Sequence, residues 1–240
     1  MSDDIKILQG KYNYLNQNKI YSEENFRIYE EDGLRNSYLF KSEVLSRVKT
    51  GEFLKVYVTY RVSRHFDPIE VSIERLMGDK ESLETITIDQ KTKNYAYTFK
   101  DTTGKTHRYD KVISSRPHIG TPAFLTSMLM TNQKRMDPVQ RTSYNIISSP
   151  NVWQYQGPFQ ENTLYAELQA LEPKEITINK KELKATHCKL LKSNIGISSD
   201  QGEDLYLSKY FNVPYLGVFK NNLKISIDNL RSFQANLPQF

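Results

Sequence analysis

The sequence of 240 residues has little of what marks several protein classes. It holds one cysteine, Cys188, which excludes an internal disulfide. Its 10 glycines and 9 prolines are dispersed, so no linker divides the chain, and we expect a single β-rich domain over residues 1–240. A membrane-spanning helix needs roughly 20 consecutive apolar residues. The nearest run, residues 123–130, is much shorter and contains Thr126 and Ser127.

The beginning of the chain does not resemble a secretory signal. Asp3, Asp4 and Lys6 precede any apolar run, so the basic head and apolar middle of such a signal are missing. Together with the lone cysteine, this predicts a cytoplasmic protein. We expect residues 1–9 to form a loose N-terminal segment.

The charge pattern argues against a nucleic-acid partner. The 33 basic and 28 acidic residues give a net charge of +5, but the two signs are interspersed along the chain. Recognition of nucleic acid needs basic residues clustered in a patch or stripe.

The 16 tyrosines, 11 phenylalanines and one tryptophan supply large apolar surfaces, which predicts a folded globular domain.

Alternating apolar and polar positions predict that the fold is mainly β. The firmest case is residues 52–64, where one set of side chains is Leu54, Val56, Val58, Tyr60 and Val62. Similar segments, among them Thr106–Val112 and Thr142–Ser148, follow one another with short turns and without crossover helices. This order predicts a long antiparallel meander. Strands of about ten residues favour a curved sheet, a half-barrel or a lipocalin-like barrel.

One helix is expected near residues 121–132. Thr121-Pro122 fits an N-cap followed by proline at the first helical position. Leu125, Met128 and Leu129 then fall on one face at spacings of three and four. Such a helix would pack on or in the sheet, plugging or covering its open side.

Motifs for metals, cofactors and common catalytic chemistry are absent. The four histidines, His65, His107, His118 and His187, are widely separated and give no close ligand pair. The glycine-rich motif of dinucleotide-binding proteins and the nucleophile motif of serine hydrolases do not occur. His187 and Cys188 are adjacent in a predicted strand and would point to opposite faces. We therefore expect no metal, no cofactor and no nucleophile pair.

The segment from Arg116 to Pro122 is the first candidate ligand site. A strand ends there and a helix begins, and the free N–H groups of a helix start favour anions. Arg116 would add a bidentate donor and His118 a titratable one. In the alternative interpretation Arg116 pairs with a carboxylate of the protein and the prolines only shape the joint.

Further candidates lie in the predicted strands. Tyr57 and Arg61 share a strand face that suits either a half-polar cavity or solvent. Arg75 is the only charge on an otherwise apolar face and, if buried, needs a partner from the protein or a ligand. Trp153 and Tyr155 share a face of a strand predicted over Asn151–Gln156, and would line a cavity or belong to the core.

The order of elements, a long antiparallel meander with one mid-chain helix, resembles bacterial half-barrel lipid carriers and lipocalin-like proteins over most of the chain. The resemblance implies a curved sheet around an apolar cavity for a lipid-like or aromatic molecule. The leading hypothesis is therefore a binding or carrier protein for an amphipathic hydrophobic small molecule. The helix would act as a lid, with Arg116 and His118 at an anionic head group.

Two other functions remain open. An enzyme, such as an isomerase, cyclase or lyase, would use the same cavity and need an ionisable group facing it, with His118, His65 or Tyr57 as candidates. A protein-interaction module would instead present an exposed aromatic strand face to a protein partner. A cavity with charged groups pointing inward would favour the first two functions over the third.

Overall fold

The fold comes from a computed structural model, which describes residues 4–31, 36–48, 50–89, 91–92, 94–112, 116–149, 151–153, 160–192 and 202–234. In the first half of the chain, the described residues form eight strands that follow one another as a meander. They are β1 (Ile5–Asn16), β2 (Lys19–Glu31), β3 (Ser37–Arg47), β4 (Phe53–Ser63), β5 (Pro68–Met77), β6 (Lys80–Asp89), β7 (Asn94–Lys100) and β8 (Thr106–Val112).

The second half begins with a short strand and two short helical turns and then returns to strands. The elements are β9 (Pro117–Ile119), α1 (Phe124–Ser127), a 3₁₀-helix (Leu129–Asn132), β10 (Thr142–Ser148), β11 (Gln160–Leu168), β12 (Lys174–Ile178), β13 (Lys181–Lys192), β14 (Glu203–Leu207), β15 (Pro214–Val218), a second 3₁₀-helix (Lys220–Asn222) and β16 (Leu223–Ser232).

These strands form one large curved sheet that is not closed, which confirms the predicted β-rich fold class. Its order runs from β8 back to β1, then to β16 and on through β10 to β9, with β12 paired to β13 at the side. All pairings are antiparallel except that of β9 with β10. The curvature brings distant strands together, since Lys111 Nζ of β8 lies 2.6 Å from Glu161 Oε1 of β11.

Period-two burial makes the concave face of the sheet the core. In β4, Val56, Val58, Tyr60 and Val62 are at most 1% exposed, as predicted from their alternation. Burying such a side chain contributes about 1.5–3 kcal/mol, so a row of four fixes the register of the strand. A slip by one residue would turn the whole row to the outside.

The beginning of the chain is not loose from residue 5 onward. β1 starts at Ile5, and Ile7 and Leu8 are fully buried. The strand pairs with β2 on one side and β16 on the other, so it joins the two halves of the sheet. The expectation of a loose segment over residues 1–9 was wrong for residues 5–9, because these apolar side chains complete the core.

The helix lies where it was predicted, but its N-terminus is built differently. Ala123 occupies the N-cap position and has no side-chain hydrogen bond to offer, so the Thr121 cap was wrong. The hydroxyl of Thr121 instead lies 2.6 Å from that of Thr126. The amides of Phe124 and Leu125 donate to the carboxylate of Glu24 in β2, at 2.7 and 3.4 Å.

This helical segment fills the concave side of the sheet and does not cover an opening. Phe124, Leu125, Leu129 and Met130 are at most 3% exposed. The ring of Phe124 packs edge-on against Tyr12 of β1 at 5.3 Å between centroids. The segment is therefore a plug that takes up part of the core, and the expectation of a lid was wrong.

The strand predicted over Asn151–Gln156 does not form in its described part. Asn151, Val152 and Trp153 form bends, and the remaining three residues, including Tyr155, lie outside the described residues. The side chain of Asn151 accepts a hydrogen bond from the Trp153 amide at 3.0 Å. This local bond takes the place of a ladder bond to a neighbouring strand.

Gly10 in β1 is predicted to tolerate no side chain. A Cβ there would lie 2.6 Å from the Asn229 carbonyl oxygen and 2.6 Å from the ring of Phe26, which stacks on Tyr12. We expect Gly10→Ala to lower the free energy of unfolding by about 1–3 kcal/mol, as overpacking does. Urea denaturation measures this, with Gln9→Ala in the same strand as control. Equal stability of the two variants would contradict the prediction.

Candidate functional site

A cavity of about 350 Å³ opens at one end of the concave face. We call it the Arg75 pocket. Its walls are mainly apolar, and the principal residues are Leu54, Met77, Phe99 and Trp153. Its polar lining includes Arg75, Lys80, Ser82, Asp101 and His107. The pocket thus combines apolar walls with several polar groups, as small-molecule sites commonly do.

Strand register brings these side chains together. Leu54 of β4 pairs with Met77 of β5, and Arg75 of β5 pairs with Ser82 of β6. One step further into the sheet, Glu84 of β6 pairs with Phe99 of β7. Because paired residues of antiparallel strands point to the same face, all of these side chains converge on the concave side.

A buried ion pair lies at the base of the pocket. Nη1 of Arg75 is 2.5 Å from Oε1 of Glu84, and the side chains are 5% and 1% exposed. Burial raises the pKa of Glu84, and the charge of Arg75 opposes that rise. Burying either charge alone is costly, so each needs the other.

Arg75 also holds one wall of the pocket in place. Its Nη2 and Nε donate to the backbone carbonyl of Val152 at 2.7 and 3.2 Å. The next residue, Trp153, packs edge-on against Tyr14 of β1 at 6.4 Å between centroids. The segment Asn151–Trp153 is therefore anchored to β5 by the guanidinium, and it places the only tryptophan of the chain at the pocket.

A histidine oriented by a carboxylate lines the same pocket. Nε2 of His107 is 3.2 Å from Oδ2 of Asp101, and its ring stacks on Phe99. The other carboxylate oxygen of Asp101 accepts hydrogen bonds from the side chain and amide of Thr103 and the amide of Lys105. These bonds, the Thr103 hydroxyl first, lower the pKa of Asp101 to about 2. The carboxylate is thus ionised and fixed, and it orients the imidazole.

The charges around the pocket nearly balance. Arg75 and Lys80 are cationic, and Glu84 and Asp101 are anionic. The guanidinium of Arg75 is matched by Glu84, whereas Lys80 lies exposed at the mouth. The arrangement therefore suits a ligand with an apolar body and a polar or anionic group directed toward the mouth.

The structure brings together two of the six residues predicted to bind a ligand. Arg75 and Trp153 both line the pocket. Tyr57 and Arg61 lie on the opposite, outer face of β4, because residues of odd number in this strand point away from the core. Arg61 forms ion pairs there with Glu31 and Glu70. The proposal that Tyr57 and Arg61 line a cavity was wrong.

Arg116 is engaged by the protein itself, as the alternative interpretation stated. Its Nε is 2.5 Å from Oδ1 of Asp67, and its other nitrogens donate to the carbonyl oxygens of Gln133 and His65. It lies on the surface and not in the Arg75 pocket. Its partners stabilise the joint before the helix.

His118 is buried and does not reach a ligand head group. It is 1% exposed, and Nδ1 lies 3.2 Å from the hydroxyl of Tyr60, on which its ring stacks. Burial lowers the pKa of His118 to about 3, so the imidazole is neutral at physiological pH. The helix start beside it is already bound by Glu24. The anion site predicted at this joint was therefore wrong.

Sequence reasoning missed the buried carboxylates of Glu24 and Glu84, and it missed His107. The sequence did contain a signal for the two glutamates. In a strand, Glu84 falls on the same face as Ile86 and Ile88, and Glu24 falls on the same face as Phe26 and Ile28. A carboxylate on an apolar strand face must be paired or hydrogen-bonded. His107 carried no such signal, because its neighbours in β8 are polar on both faces.

The adjacent His187 and Cys188 do point to opposite faces. Cys188 is fully buried, and burial raises the pKa of its thiol to about 12. His187 stacks on Tyr206 and lies 2.7 Å from Asp204. The pair cannot act together, which confirms that prediction.

The described ranges contain neither a cluster of metal ligands nor a helix suited to cross a membrane. In those ranges no three His, Cys, Asp or Glu side chains gather in a way that could hold a metal ion. Across the same ranges, no helix has the length and apolarity that a membrane crossing requires.

Comparisons with known proteins support the fold alone. No family model and no curated protein matches the sequence. A β-barrel-like protein of the domain of unknown function DUF1849 from Brucella abortus is similar in structure, with a TM-score of 0.51 and 6% identity over 96% of this chain and 99% of that one. A DUF1089 family protein from Pseudomonas aeruginosa gives a TM-score of 0.49 and 8% identity over 82% and 89%.

Proposed function

We propose that the protein binds an amphipathic hydrophobic small molecule in the Arg75 pocket. The observation that carries this proposal is a cavity of about 350 Å³ whose walls are apolar and whose polar groups are held in place by the protein. Ligand pockets usually have volumes of about 300–1,000 Å³ and this mixture of surfaces. A barrel-like fold is compatible with a cavity on the concave side of the sheet, but it does not identify a ligand.

The lining suggests how such a ligand would lie. Its apolar body would contact Leu54, Met77 and the rings of Phe99 and Trp153. A polar or anionic group would lie near Ser82 and the ammonium of Lys80, where water is close. Because Arg75 already has an anionic partner, Lys80 is the cation that would favour an anionic head.

Filling the pocket should weaken this binding. We expect the wild-type protein to bind the amphipathic anion 8-anilinonaphthalene-1-sulfonate with energy transfer from Trp153, the only tryptophan. Ser82 is 7% exposed and lies in the lining, so Ser82→Leu would place a larger apolar side chain inside. We expect its affinity for the probe to fall about tenfold or more, which corresponds to about 1.4 kcal/mol. Fluorescence titration measures the change.

The matched control is Ser72→Leu, on the outer face of the neighbouring strand β5. It should leave probe binding unchanged, because Ser72 does not line the pocket. Repeating the titration with the uncharged probe N-phenyl-1-naphthylamine separates an anion preference from apolar binding alone. Absence of binding to the wild type, or equal loss in both variants, would refute the proposal.

An enzyme in the same pocket is the second candidate function, favoured by the oriented imidazole of His107. A histidine held by a carboxylate is a common general base. His65 and Tyr57, which the sequence suggested for this role, are outside the lining. Compounds that displace the probe and are recovered chemically altered would identify an enzyme, whereas unaltered recovery supports a binding protein.

We also propose that residues 1–240 act as one domain. The pairing of β1 with β16 supports this, because it couples the first and last strands of the described chain. The cytoplasmic location and the absence of a nucleic-acid partner stay predictions from the sequence.

A further inference from the structure

The two edges of the sheet are protected very differently. The edge strand β9 has three residues and begins with Pro117, which has no N–H to donate. The other edge, β8, has seven residues, contains no proline and pairs with β7 in a continuous register without a bulge. Among the described strands, none pairs with its outer side. A long regular edge of this kind is a template for another strand.

Charged side chains usually protect such an edge, but those of β8 are complementary to their own copy. In an antiparallel pair of two β8 strands centred on Tyr109, Arg108 of each copy lies opposite Asp110 of the other. Both side chains are exposed. Opposite charges at facing positions stabilise a strand pair, and the symmetry repeats this contact twice.

Two neighbouring registers would also place the concave faces of the two sheets on the same side, but both are disfavoured. A shift that centres the pair on Arg108 would place the two Arg108 side chains opposite each other. A shift to Asp110 would do the same with two carboxylates. Like charges at facing positions destabilise a strand pair. The sequence of β8 therefore selects the register centred on Tyr109.

The inner face of β8 is compatible with this register. Tyr109 is 43% exposed and stacks on Tyr97 of β7, so the two copies of Tyr109 would meet as a cross-strand aromatic pair. His107 would face Lys111, whose ammonium is already paired with Glu161 of its own chain. His107 in turn lies 3.2 Å from Asp101 of its own chain, so each of the two facing groups already has a carboxylate partner.

We propose that the protein forms a symmetric dimer in which two β8 strands pair edge to edge through Tyr109, with reciprocal Arg108–Asp110 contacts. The two curved sheets then become one continuous sheet. The partner that this surface fits is a second copy of the chain, because its charge pattern is self-complementary.

Charge reversal with restoration tests this dimer. We expect the wild-type protein to sediment at low salt with twice the monomer mass of 28.1 kDa. Arg108→Asp places carboxylates opposite each other, and Asp110→Arg does the same with guanidinium groups. Each should raise the dimer dissociation constant about tenfold or more. The double variant Arg108→Asp/Asp110→Arg restores opposite charges and should restore the dimer.

Analytical ultracentrifugation over a concentration series gives these constants. Urea denaturation at a protein concentration well below the dimer dissociation constant, where all forms are monomeric, checks that the three variants unfold at the midpoint of the wild type, as expected for exposed side chains. A wild type that stays monomeric at every concentration would overturn the proposal. So would single variants that dimerise like the wild type, or a double variant that dimerises no better than the single ones.

Discussion

Replacing Glu24 by alanine is expected to lower the free energy of unfolding by about 4 kcal/mol. Its carboxylate is fully buried and accepts four hydrogen bonds. Oε2 receives the hydroxyl of Tyr14 at 2.6 Å and the amide of Phe124 at 2.7 Å. Oε1 receives the hydroxyl of Ser42 at 2.7 Å and the amide of Leu125 at 3.4 Å. Removing it leaves these donors buried in the core without an acceptor.

The size of this effect follows from what Glu24 connects. It links β1, β2 and β3 to the helical plug, so its loss affects both the sheet and the packing of the plug. A domain is stable by only about 5–15 kcal/mol, so this change takes a large share of the total. Urea denaturation followed by circular dichroism measures it.

The neighbouring residue Glu23 supplies the control. It lies in the same strand on the outer face and pairs with Lys11 at 2.7 Å, with its side chain 41% exposed. Glu23→Ala should cost less than about 1 kcal/mol, as exposed ion pairs do. Similar losses for Glu23→Ala and Glu24→Ala would show that the buried hydrogen bonds of Glu24 are not the cause.

Glu24 also shows how far the sequence predicts this structure. Alternation along β2 places Glu24 on the same face as Phe26 and Ile28, so its burial was accessible to prediction. Its partner was not, because Phe124 is 100 residues away in sequence. The local sequence Thr121-Pro122 predicted that the Thr121 side chain caps the helix. The carboxylate of Glu24, from a distant strand, accepts the helix amides instead. Local patterns cannot reveal a contact made across the core.

The same limit explains the outcome at the candidate site. The alternation of apolar and polar residues predicted the strands. It also predicted which side chains of each strand share a face with Arg75 and which share a face with Tyr57. Which face is concave depends on the curvature of the whole sheet, including the pairing of β1 with β16. That pairing joins segments more than 200 residues apart, so the side of β4 that faces the interior could be inferred only from its apolar row.

Breaking the Arg75–Glu84 ion pair should destabilise the protein by about 3–5 kcal/mol when either residue alone is replaced by leucine. Each single replacement leaves the other charge buried without its partner, 5% or less exposed. The double variant Arg75→Leu/Glu84→Leu removes both charges and should recover most of the loss. A double-mutant cycle from urea denaturation measures the coupling. Additive losses would contradict the predicted coupling.

The pH dependence should distinguish the two single variants. Burial raises the pKa of Glu84 and Arg75 opposes that rise, so in Arg75→Leu the folded-state pKa moves further above its unfolded value. A carboxyl with a raised folded-state pKa binds its proton more tightly in the folded state, so lowering the pH stabilises that state. The loss in Arg75→Leu, measured against the wild type, should therefore shrink as the pH is lowered from above the folded-state pKa of Glu84 toward the pKa of an unfolded-state glutamate, about 4.3. In Glu84→Leu the uncompensated group is a guanidinium, which stays protonated throughout, so its loss should not shrink. Equal pH dependence of the two variants would mean that the buried charge left without its partner is not what destabilises them.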